Sequence, residues 1–139
     1  MPVSPSQLKS IYHTIPAGAA YNLASPIDIR LVEPVSLIMP AAWTDAAISF
    51  SGSHDGSLIS YGWLANSAAK IIKISPAKAY HQYVLSRSWF YGSAWLFLVS
   101  GDLTLGLSGL INQAADRTLI LNCRDREGVV LPTEEAVRI

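Results

Sequence analysis

The sequence predicts an all-β domain, an antiparallel β-sandwich or jelly roll with an extended N-terminal arm and a C-terminal tail. Three observations carry that expectation. Apolar residues recur with a period of two in short runs, and an Asp55-Gly56 pair separates two such runs. No window sustains a helical period, while Gly, Pro and Asp punctuate the chain at near-regular spacing, as in sandwiches and jelly rolls.

Residues 1–20 read as the arm, because Pro2, Pro5 and Pro16 and the run from Pro16 to Ala20 oppose regular structure. Leu8, Ile11, Tyr12 and Ile15 lie among them, and such large apolar groups are expected to dock on the sheet or on a neighbouring subunit. The sandwich is expected over 21–125. Ile27, Ile29 and Leu31 alternate with Asp28 and Arg30, giving one dry and one wet face. Pro34 cannot donate to a ladder, so it predicts a bulge or two short strands before Val35, Leu37 and Met39 resume the period. Residues 46–53 alternate around Ile48 and Phe50. With Asp55-Gly56 and then 58–64, including Tyr61 and Trp63, they form the expected hairpin, since Asp and Gly tolerate positive φ. Residues 68–75 predict another strand, and 76–81 a connection able to hold one helical turn. Strands are further expected at 83–87, 94–100, 103–107 and 117–124, the last with Leu119, Leu121 and Cys123 on one face. Residues 126–139 read as the tail.

Composition points to a surface covered by partners. Half the residues are hydrophobic and 14% are charged, against roughly 25% charged in ordinary soluble domains. A chain of 139 residues has ample surface to cover, so Ala, Ser, Gly and apolar groups must cover part of it. The net charge of +0, with no basic stripe, speaks against nucleic acid and anionic lipid as partners. The apolar stretch over 89–111 imitates a membrane span, but Ser100-Gly101-Asp102 divides it, so two buried segments joined by a turn are expected. The N-terminus has neither the basic region nor the apolar run of a secretory signal. One cysteine, Cys123, allows no intrachain disulfide.

The residues of chemistry do not assemble into a site. His13, His54 and His81 have no second ligand at metal spacing, so no metal or cofactor is expected. Ser53-His54-Asp55 holds the residue types of a hydrolase triad, yet consecutive strand residues point to opposite faces, and turn chemistry is the better reading. Cys123 on an apolar face reads as a small core residue. The glycines form no phosphate-binding pattern, and the scattered carboxylates favour no pair. The chain is expected not to be an enzyme. Trp89, Phe90 and Tyr91, beside Trp95, are expected in the core or at a subunit contact. The alternative is a carbohydrate-binding module stacking sugars on Trp89, Tyr91 or Tyr61. The expected assembly contacts are therefore Leu8, Ile11, Tyr12, Ile15, Trp89, Phe90 and Tyr91.

Two segments resemble one known family. Met39-Pro40-Ala41-Ala42-Trp43-Thr44, followed by Ile48-Ser49-Phe50 and Ser53-His54-Asp55-Gly56, is similar to a segment of small tailed-bacteriophage proteins encoded among virion head and tail genes. Asn112-Gln113-Ala114-Ala115-Asp116-Arg117-Thr118-Leu119 resembles that family's C-terminal motif, and the similarity covers about residues 15 to 124. The resemblance implies a virion structural protein on a jelly roll similar to those of capsid decoration proteins and discoidin-like domains. Together with the scarce charge, the apolar arm, the lack of a disulfide and the lack of a catalytic set, it leads to the expectation of a capsid decoration, or cement, protein assembled in the host cytoplasm, a homo-oligomer (a trimer) with the major capsid protein as partner. A tail, neck or fibre-attachment protein is the alternative within the particle. The family brings no catalytic residue, and this chain departs from it in its proline-containing N-terminus and after Arg124.

Overall fold

Most of the period-two runs among the described residues form strands, and these assemble into two antiparallel sheets packed face to face. The computed structural model describes residues 8–57, 61–66 and 68–126. The first sheet has the order β1 (Lys9–Ile15), β9 (Arg117–Asp125), β3 (Val32–Ile38), β7 (Gln82–Val84). The second runs β2 (Ile27–Asp28), β8 (Trp95–Ser100), β4 (Ala46–Ser53), with β5 (Gly62–Trp63) and β6 (Lys73–Ala77) sharing the far edge of β4. With β5 and β6 taken as one interrupted strand, every step along the chain but β4 to β5–β6 crosses from sheet to sheet. That is jelly-roll wiring, as expected.

The core lies between the sheets. Leu119, Leu121 and Cys123 of β9 are fully buried on one face, opposite His13 and Ile11 of β1 and Leu37 of β3. The second sheet contributes Ile48, Phe50, Leu96 and Leu98 to the same cluster. Phe50 meets Phe90 edge-on at 5.3 Å and Trp89 at 6.0 Å. Each fully buried large apolar side chain contributes about 1.5–3 kcal/mol, and this cluster is what joins the sheets.

Several expectations need correction. Residues 9–15 are not an arm: they pair with β9 along their whole length, with Ile15 in the core and Ile11 packed against it. Alternating Ile11, His13 and Ile15 supply a strand's dry face, which outweighs the prolines flanking them. Phe90 is likewise a core residue and Trp89 packs on the core, so neither is a free assembly contact. Leu31 is exposed, because the chain leaves the second sheet after Asp28 and enters the first at Val32. The bulge at Pro34 is present, with the register shifting before Ser36. The hairpin partner of β4 is β5, reached by a longer loop than two residues, and 58–60 lie outside the described residues. Asp55-Gly56 still forms a turn. Gly56 has φ +82°, and a Cβ there would press on the Trp95 indole.

The strand expected over 68–75 begins only at Lys73, and it continues through Pro76 where a helical turn was expected. Residues 103–107 form no strand. Asp102 accepts from the Thr104 N–H at 2.9 Å, and Gly106 sits at φ +67°, so the segment winds into two 3-10 turns over Leu103–Gly109. Arg126 belongs to the folded body and not to a tail, as its contacts below show; 1–7 and 127–139 lie outside the described residues.

Candidate interaction surface

Strand β8 is apolar on both faces. Leu96 and Leu98 face the core, while Trp95, Phe97 and Val99 point outward, paired across the ladder with Ser53, Ser51 and Ser49 of β4. Serines beside large rings leave a trench. Tyr21, Tyr61, Leu103, Leu107 and Leu110 wall it into a groove of about 270 Å³, with Phe97 and Val99 as its floor. The Tyr61 and Phe97 ring centroids lie 4.5 Å apart. Three of the lining side chains stand largely in solvent: Leu23 is 53% exposed, Trp63 46% and Leu107 71%. Among the described residues no charged side chain lines the groove. The Tyr61 hydroxyl is buried without a hydrogen-bond partner among the described residues, and its pKa is raised, first by desolvation and then by Asp55.

Polar contacts hold the leucine-bearing wall in place. The Ser49 hydroxyl donates to the Gly101 carbonyl at 2.7 Å and accepts from the Leu103 N–H at 3.2 Å. Lys73 Nζ reaches the Asp102 carboxylate at 2.7 Å, and that hydrogen bond, with one from Thr104, holds the Asp102 carboxyl below the usual carboxylate range. Gly101, at φ +138°, lies so close to the Gly109 carbonyl that a side chain would collide with it. The exposed leucines thus project from a fixed segment.

The two segments that resemble a family meet in space. Gln113, almost wholly buried, accepts from the Thr44 N–H at 2.8 Å and donates to the Thr44 carbonyl at 3.1 Å and to the Ser100 hydroxyl at 2.8 Å. Arg117 Nη2 donates to the Thr44 hydroxyl at 3.2 Å, and Asp116 accepts from the Ala17 N–H at 2.8 Å. No family model, curated protein or solved structure matches the chain. The roles of these segments therefore come from the geometry alone: they lock the loop before β4 to the loop before β9.

The other residues read from the sequence have structural tasks. Ser53 is buried in the turn, where its hydroxyl accepts from the Gly56 N–H at 2.9 Å, while Asp55 accepts from the Ser57 N–H at 2.9 Å. Burial pushes the Cys123 thiol up to about 12 and the His13 imidazole down to about 4. Among the described residues, no three His, Cys, Asp or Glu side chains gather as metal ligands, and no helix is long and apolar enough to cross a membrane. Leu8, Tyr12 and Tyr91 are exposed, but on different elements: Leu8 and Tyr12 at β1, and Tyr91 on the turn before β8.

Arg126 organises that turn. Its guanidinium donates to the carbonyls of Ile29 (2.8 Å), Ser93 (3.0 Å), Phe90 (3.1 Å) and Tyr91 (2.9 Å). Sequence reasoning missed the groove and its rim. The available signal was the unbroken apolar run of β8, which marks a strand covered on both faces.

Proposed function

We propose that this chain is a structural protein of a tailed-bacteriophage particle, a decoration or cement protein of the head shell, and that the outer face of β8 and β4 is its assembly contact. One observation carries the reading: a groove with no charged side chain among the described residues that line it, bordered by exposed Leu23, Trp63 and Leu107, on a chain with few charges elsewhere. A face of this kind is wasteful in a monomer and gains stability when a partner covers it. The resemblance of residues 39–56 and 112–119 to virion proteins supplies the particle. A jelly roll suits the role, because a rigid sandwich presents a fixed surface to a repeating lattice. The major capsid protein is the proposed partner.

A neck or tail position uses the same face with a different stoichiometry. Gel densitometry of purified particles separates the two. A copy number that scales with the capsid subunits supports the shell, and one fixed at the small symmetry number of a neck or tail moves the protein there. Absence from particles removes the proposal altogether. The carbohydrate reading loses one of its three rings, because Trp89 packs against Phe50 and the core, while Tyr91 stays exposed. Among the described residues, the groove that holds Tyr61 also lacks the carboxylates and amides that would bind sugar hydroxyls.

A further inference from the structure

We infer that the free edge of β1 is a docking site, and that it pairs antiparallel with β1 of a second copy of this chain. The edge belongs to the first sheet and not to the face proposed for the capsid, so the inference is independent of the virion reading. Among the described residues β1 ends its sheet and pairs with β9 alone, over seven residues and without a register shift. No other edge among them offers such a strand. β2 has two residues and β7 three, while β5 and β6 interrupt each other, with Pro76 inside β6. β1 also lacks the usual protections of an edge. It holds no proline and no bulge, and its one charged residue, Lys9, stands at its end beside Asp125 at 3.9 Å.

The free backbone groups of that edge can be named. Asn22 Nδ2 donates to the Thr14 carbonyl at 2.9 Å, which puts this carbonyl on the open side of the strand. Outward and inward residues alternate along an antiparallel ladder, so Ser10 and Tyr12 share that orientation. The far side of the sheet agrees. The Met39 N–H donates to the His81 carbonyl, away from β9, and the alternation carried across Ile38, Ile120 and Leu121 turns Tyr12 outward. Asn22 closes the edge at Thr14, so Ser10 and Tyr12 keep unpaired N–H and carbonyl groups among the described residues. Groups at this spacing are matched by another extended backbone.

Two features select β1 itself as that backbone. A two-fold axis beside Ile11 sets Ser10 opposite the second copy's Tyr12, and Tyr12 opposite its Ser10. Each such pair exchanges both hydrogen bonds, so the free groups of the two residues are used up on both copies. The same register places the Tyr12 ring beside the small Ser10 of the second copy, with that copy's Leu8 and Tyr12 on the diagonals. Leu8 (46% exposed) and Tyr12 (66%), the large apolar groups left in water along β1, thereby cover each other. The two copies then share one continuous sheet, closed by symmetry as a dimer in place of the trimer expected from the sequence.

The test is sedimentation equilibrium of the full-length isolated protein from about 10 µM to 1 mM, a range that brackets weak self-association. An edge pairing of seven-residue strands falls short of the roughly 1,200 Å² buried in stable complexes, so a dissociation constant on the order of 0.1 mM is expected. Tyr12→Pro deletes an outward N–H and leaves the bonds to β9 in place, so it should raise that constant by about tenfold or more. Tyr12→Thr keeps the N–H and removes the ring, and should weaken the dimer by only about threefold. Circular dichroism and the melting transition show which variants are folded, and Ser10→Pro replaces Tyr12→Pro if that one is not. A wild type that stays monomeric throughout the range overturns the inference, and so does a mass that settles at a trimer. A dimer indifferent to the folded proline variant places the contact elsewhere and overturns it as well. Equal losses in Tyr12→Thr and Tyr12→Pro would assign the contact to the ring and sink the strand pairing.

Discussion

The side-chain amide of Gln113 pairs with both backbone groups of Thr44, accepting from its N–H at 2.8 Å and donating to its carbonyl at 3.1 Å. The amide thereby does what a neighbouring strand residue would do, at a place where no strand runs. Replacing Gln113 with Met fills similar volume but strands the Thr44 groups and the Ser100 hydroxyl. The expected loss is about 2–4 kcal/mol, read as a lower denaturation midpoint with unchanged slope. An unchanged midpoint would mean that water replaces the amide at no cost.

His13 makes the fold acid-sensitive. The ring is 2% exposed between the sheets, its Nε2 has no hydrogen-bond partner among the described residues, and burial lowers its pKa from 6.5 to about 4. The unfolded chain takes up this proton near pH 6.5 and the folded chain only near pH 4, so acid favours unfolding across that window. Stability linked to this ring is complete above pH 6.5 and falls as the pH drops towards 4, by a total on the order of 3 kcal/mol. His13→Leu should flatten the profile there. A variant that loses stability between pH 6.5 and 4 as steeply as wild type would assign the effect elsewhere.

Arg126 gathers four backbone carbonyls from the loop after β2 and the turn before β8. Arg126→Ala should cost about 2–3 kcal/mol, in line with hydrogen bonds to charged groups. Arg126→Lys should recover only part of this, because one ammonium cannot span a fork of acceptors. Equal midpoints for Lys and Arg would show that charge alone matters.

Tyr80 holds φ +65° while 79% exposed, a left-handed conformation on a bulky residue whose ring lies mostly in water. Tyr80→Asn, which tolerates that region, should raise stability by about 0.5–1 kcal/mol, and a thermal melt reads it directly. A drop would show that the ring contributes more than the strain costs.

The sandwich was legible wherever one side of a strand is wet. β9 is the clearest case, since Leu119, Leu121 and Cys123 alternate with less buried neighbours, and its observed span extends the expected one by a single residue. Residues 9–15 misled because nearby prolines outweighed a valid alternation of Ile11, His13 and Ile15. Leu103, Leu105 and Leu107 misled in the opposite sense: their spacing imitates a strand, but the Asp102 cap and the left-handed Gly106 bend the chain, and only Leu103 is buried. The apolar run of β8 signals that its outer face is covered, but the groove itself was not legible, because it joins Tyr21, Ser51, Tyr61, Phe97 and Leu107 from five separate parts of the chain. Such a surface depends on which strands become neighbours, and period-two patterning is silent on that.

The central claim, that the outer face of β8 and β4 is what this chain presents to a particle, is tested most directly by add-back. Particles lacking the protein are mixed with saturating wild type or with folded Leu107→Asp, and bound copies are counted after pelleting. Wild type should fill its sites while the variant stays in the supernatant. Equal occupancy by both proteins would contradict the account.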